Sequence, residues 1–190
     1  MEPTKVYDYD PHNLPPDVLQ AIGLIAACSA QNEYIIKQGI GGCLGLDIEY
    51  TDAVTTHMSS PHRNDVLRAV AEIKIDSLDD LDALDSLLDT INEGFKKRNR
   101  YVHHGWCRDP QTNECFTAQV TARGRVEVEL VPIAVQGIIK DADFIYDAGM
   151  AVYTFLSERG LLPPVPAKPR PRTHKSKAAR KARRKKMLGR

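Results

Sequence analysis

Long apolar runs are missing from this chain. Nowhere do 18 or more apolar residues follow one another, so no segment reads as a membrane span. The opening residues, MEPTKVYDYDPHN, lack a basic stretch followed by an apolar one, and no secretory signal is read there. Cysteine is scarce as well. Four cysteines (Cys28, Cys43, Cys107, Cys115) in 190 residues are too few to staple a domain of this size, so free thiols in a cytoplasmic setting are expected. The glycine-rich stretch 39–46, GIGGCLGL, contains no Gly-Lys-Ser/Thr and is not a phosphate loop. Cys107 and Cys115, with His103 and His104 nearby, lack the tight Cys-x2-Cys spacing of structural zinc sites, and neither metal nor cofactor is expected.

One region lacks charge of one sign altogether. Of 26 Lys/Arg and 25 Asp/Glu, the segment 163–190 holds 12 basic residues and no acidic one, which leaves 14 basic against 25 acidic in residues 1–162. The near-neutral whole is thus an acidic body joined to a basic tail. Such a body repels phosphate at long range, whereas the tail attracts it. The tail is Pro-spaced and then Lys/Arg-rich, with too little apolar content to fold alone, and disorder is expected across 163–190. Lys175, Lys177, Arg180, Lys181, Arg183, Arg184, Lys185 and Lys186 are its candidate nucleic-acid contacts; an acidic protein surface, including this chain's own body, is the alternative.

Residues 1–162 read as one mostly helical domain. A first helix follows Pro15-Pro16-Asp17, with Val18, Ile22, Ile25, Ser29 and Ile36 near one face, and is expected to break at Gly39–Gly42. Residues 44–61 give no assignment. A second helix is predicted from Asn64 or Asp65 to about Ile75, with Val66, Val70 and Ile73 inward. The clearest pattern is Leu81, Leu84, Leu88, Ile91, Phe95, Arg98 and Val102, a heptad-like stripe with acid early and base late, as the helix dipole favours. Phe116–Ala122 and Val126–Val131 alternate around Arg123-Gly124, a β-hairpin over about 115–131 that must lie against the bundle to be stable. A final long helix runs from about Ile133 to Arg159, closed by Gly160 and Pro163.

Arg98 stands on an otherwise apolar stripe, followed by Asn99, Arg100, Tyr101, Val102, His103, His104, Gly105 and Trp106. Read plainly, the arginine covers core with its stem and keeps its head in water, and the histidines are polar residues of a fraying last turn. Read chemically, an imidazole that titrates near neutral pH can move a proton, and a guanidinium fork can hold charge on a phosphate. On an ideal helix five residues turn through 140°, so the helix must end or bend between Arg98 and His103, or the two must come from different subunits.

The run R-N-R-Y-V-H resembles the motif of the HEPN superfamily, in which four to six positions, the first usually polar, separate Arg from His. It is most similar to uncharacterised bacterial HEPN-like proteins with an RNR-hydrophobic-hydrophobic-H-G segment, a short hairpin and a long last helix. The resemblance covers about residues 15–160, and His104 stands where a glycine usually follows. It implies a four- to five-helix bundle that dimerises, with Arg98 and His103 facing a shared cleft in a metal-independent endoribonuclease acting on RNA, and an antitoxin partner if the protein is a toxin. In support stand Asn99, on phosphate or orienting His103; His104, the rival imidazole; Tyr101, stacking on a base or packing; and Glu33, pairing with Arg98 from the first helix. Two alternatives are a catalytically silent HEPN-like dimerisation or binding module and a nucleic-acid-binding protein acting mainly through its tail.

Overall fold

The computed structural model describes residues 6–122, 124–164 and 177–188. Four long helices carry the body: α1 (Pro16–Cys43), α3 (Ser60–Lys74), α4 (Leu78–Val102) and α5 (Val135–Glu158); a short α2 (Ile48–Thr55) links the first two. The expected mostly α architecture, with strands inserted before the last long helix, is what forms. Strands β1 (Gly105–Arg108), β2 (Cys115–Ala122) and β3 (Val126–Ile133) make one antiparallel sheet in sequence order. The expected hairpin is its β2–β3 part; β1, next to the motif, is an added strand, paired through Trp106 opposite Thr117 and Arg108 opposite Cys115.

Two apolar clusters hold the bundle. One joins Ile36, Ile40, Leu67, Leu84, Leu88, Ile91, Val152 and Leu156 across all four long helices. The other joins Val18, Ile25, Tyr101, Cys115, Ile138 and Ile145, and binds the sheet to α1 and α5. The α4 stripe places Leu84, Leu88 and Ile91 inward as expected, and Ser77 caps its start by accepting from the Asp80 N–H at 3.2 Å.

Two expectations fail for identifiable reasons. The Gly39–Gly42 stretch does not break α1, which runs to Cys43. Its glycines are packing residues: a Cβ on Gly41 would strike Thr51 Oγ1, and one on Gly42 the Leu161 carbonyl. The second helix starts earlier, at Ser60, and its buried residues are Arg63, Asn64, Leu67 and Ala71; Val66 and Val70 pack half-buried against the core as expected, whereas Ile73 is 85% exposed and does not turn inward. In the tail, Lys177–Leu188 forms a helix, α6, over a stretch whose Ala, Lys and Arg are strong helix formers.

Candidate functional site

Arg98 takes the next-to-last position of the α4 stripe, between Phe95 and Val102, and is half-buried. Val102 is the last helical residue, and His103 is the C-cap, with φ −109° and its N–H bonded to the Asn99 carbonyl at 3.1 Å. From that position, still joined to the helix through its N–H, His103 presents Nε2 to Arg98 Nη1 at 2.9 Å. One chain therefore brings the two together. Arginine has no acceptor, so this contact is a hydrogen bond only when His103 Nε2 is unprotonated and the ring proton is on Nδ1. That is the state in which an imidazole can take a proton.

Asn99 supports the guanidinium, its Oδ1 accepting from Arg98 Nη1 at 3.0 Å. His104 lies in the bend before β1, and it is His103 that Arg98 meets. Gly105 does not close the helix with a left-handed turn; it is the first residue of β1.

Glu33 is not the direct partner of Arg98. Its Oε1 accepts from Ser60 Oγ at 2.6 Å and its Oε2 pairs with buried Arg63 at 2.8 Å. Burial pushes its carboxyl upward, but Ser60, Arg63 and, most weakly, the charge of Arg98 outweigh this and hold it below the usual range. Tyr101 is unavailable for stacking on a base. It is buried, its ring stacks on Trp106 with centroids 6.4 Å apart, and its hydroxyl donates to Asp141 Oδ2 at 2.7 Å. Burial, then the hydrogen bond and charge of Asp141, push its phenol up to about 12.

Asp141, on α5, is the residue that sequence reasoning missed. It takes Lys97 Nζ on Oδ1 at 2.6 Å and lies 3.6 Å from Arg100 Nη2. Burial raises its carboxyl, yet the bonds from Lys97 and Tyr101 and the charges of Lys97 and Arg100 leave it lowered overall. Its signal was readable: it stands three after Ile138 and four before Ile145, a charge on an apolar stripe like Arg98 itself.

The result is an asymmetry of charge. The carboxylates nearest this helix end are occupied, Glu33 by Ser60 and Arg63, Asp141 by Lys97 and Tyr101. Arg98 meets an amide and an imidazole, and among the described residues it has no ion pair. An open groove of about 810 Å³, lined in part by Pro61, Asn92, Phe95, Asn99 and Phe144, runs along the outer side of α4 up to this point. Among the described residues no three His, Cys, Asp or Glu side chains gather as metal ligands. No described helix is long and apolar enough to cross a membrane.

Of the tail candidates, Lys175 lies outside the described residues. Lys177 and Arg180 belong to α6, where Lys181, Arg183, Arg184, Lys185 and Lys186 are exposed. Compared with known protein families, with curated proteins and with solved structures, the chain matches none of them.

Proposed function

We propose that this protein is a HEPN-like, metal-independent endoribonuclease in which Arg98 and His103 act on one phosphodiester of RNA. The observation that supports the reading is the 2.9 Å contact between Arg98 and His103 at a helix end where Arg98, among the described residues, has no carboxylate partner. In a body with so large an excess of acid, a half-buried arginine without a carboxylate is a cation held for an anion from outside.

The chemistry needs few groups because RNA carries its own nucleophile. As substrate enters, a phosphate oxygen takes the place of the imidazole on the guanidinium, and His103 Nε2 is freed to accept the 2′-OH proton. The 2′-oxygen forms a bond to phosphorus, the bond to the 5′-oxygen breaks, and a proton from water or from the imidazolium completes the 5′-hydroxyl. The products are a 2′,3′-cyclic phosphate and a 5′-OH end. Arg98 stabilises charge on the non-bridging oxygens through its fork, which lysine would not reproduce. The tail supplies salt-sensitive, sequence-blind attraction that the acidic body does not. A second copy of the chain, where present, would set two such pairs around one cleft.

The test is cleavage of a labelled mixed-sequence RNA in the presence of a chelator. Arg98→Ala and His103→Ala should each lower the rate by about a hundredfold or more while helicity is retained, and His104→Ala should not. Intact RNA with every protein, together with binding lost on removing residues 163–190, would reassign the chain as a tail-driven nucleic-acid-binding protein. Neither cleavage nor binding would make it a binding module.

A further inference from the structure

We infer that Trp106 is a positioning residue for the Arg98–His103 pair: its indole N–H stops α4 at His103 and so sets the backbone angle from which the imidazole reaches Arg98. The inference builds on the ribonuclease reading but concerns a geometry that can be measured without RNA. In a continuing α-helix the Tyr101 carbonyl would accept from the backbone N–H four residues on, that of Gly105. Here that carbonyl instead accepts from Trp106 Nε1 at 2.8 Å. The side chain thus supplies the bond that the next helical turn would have made, and one of the orphan carbonyls of the helix end is satisfied without that turn.

The consequence for the site is angular. His103 keeps the helical bond from its N–H to the Asn99 carbonyl, but its φ of −109° departs from the helical value of about −63°, and this rotation swings its side chain off the line it would take if the helix ran on. With the helix stopped at Val102, the distance is 2.9 Å. Trp106 is itself held from two sides. Its ring stacks on Tyr101, whose hydroxyl is bonded to Asp141, and its backbone lies in β1 opposite Thr117, a strand further fixed by paired backbone bonds of 2.9 Å between Asp8 and Arg108. The loop carrying both histidines is therefore closed by one side-chain bond, from residue 106 to residue 101. A glycine at 105, poor in helices, favours the same break.

Trp106→Phe removes the N–H donor and keeps an aromatic ring for Tyr101. Histidine ring nitrogens labelled with 15N report the tautomer of His103 in the free protein. Wild type should show the Nδ1–H form with Nε2 bonded; Trp106→Phe should shift these resonances toward those of Arg98→Ala, in which the contact is gone by construction. In cleavage assays kcat should fall roughly tenfold to a hundredfold with KM little changed. Should the phenylalanine variant not fold, benzothienylalanine at 106 keeps the bicyclic shape and replaces N–H by sulfur. His103 resonances and kcat unchanged in a folded Trp106 variant would overturn the inference. A shifted His103 in a protein whose wild type cleaves no RNA would uphold it and overturn the ribonuclease reading instead.

Discussion

At the acidic beginning of α4, Arg68 reaches across from α3 to Asp85 and Asp89, and Arg159 lies 2.6 Å from Asp80; at the basic end of the same helix, Arg98 meets only an amide and an imidazole. Pairing with acid is the ordinary outcome for an arginine on so acidic a body. Beside the exception at Arg98, Lys97 and Tyr101 take Asp141, and Arg63 and Ser60 take Glu33. What separates the two ends is whether neighbouring carboxylates have already been claimed.

The harshest way to break this arrangement is to delete the carboxylate that Lys97 and Tyr101 share. Asp141→Ala leaves the Tyr101 hydroxyl buried without its acceptor and a half-buried lysine without its counter-ion. Since Lys97 can turn toward water, the loss should sit at the low end for a broken buried pair, about 3 kcal/mol in denaturant-induced unfolding. The pH dependence has a definite sign. A carboxyl lowered in the folded state adds stability above the ordinary carboxylate range and loses it as pH falls through the folded value. Wild type should therefore lose more stability on acidification than Asp141→Ala does. Equal acid limbs would show that Asp141 is not held in its charged form by these partners.

A gentler change keeps Asp141 and removes one of its donors. Tyr101→Phe deletes a hydrogen bond to a charged acceptor, for which about 1.5–3 kcal/mol is usual. Its informative signature lies at high pH. A phenol raised to about 12 in the fold but titrating near 10 when unfolded contributes stability that is complete below about 10 and is lost as pH rises toward 12. That alkaline loss should be diminished in Tyr101→Phe, read from unfolding curves between about pH 9 and 11.

The contrast also explains how much was legible in the sequence. Leu84, Leu88 and Ile91 could be placed because a long surface helix repeats its apolar face, and Arg98 drew notice because it interrupts that repeat. The alternation of Val126, Val128 and Leu130 located the hairpin in the same way. Hidden from one-dimensional pattern were features that exist only between elements. Gly41 and Gly42 look like helix breakers until Thr51 and Leu161 are packed on them. Glu33 and Arg63 are 30 positions apart, and the Tyr101 carbonyl at the end of α4 is met by a side chain from the following strand. The candidate pair was therefore readable as residues, but its closure was not, because spacing alone put 140° between them.

The smallest effect should come from the other end of α4. Arg68 has an exposed pair of acids, Asp85 and Asp89, whose side chains are 54% and 74% exposed, and solvent screens both interactions. Arg68→Ala should cost no more than about 1 kcal/mol, less in high salt, and should leave RNA cleavage unaltered. Set beside Arg98→Ala, it gives opposite profiles for two arginines on the same bundle, one weakly structural and one functional. A measurable fall in cleavage by Arg68→Ala at unchanged stability would mean that substrate reaches the α3–α4 face. The division drawn here between claimed and unclaimed arginines would then give way to one basic track running the length of the helix.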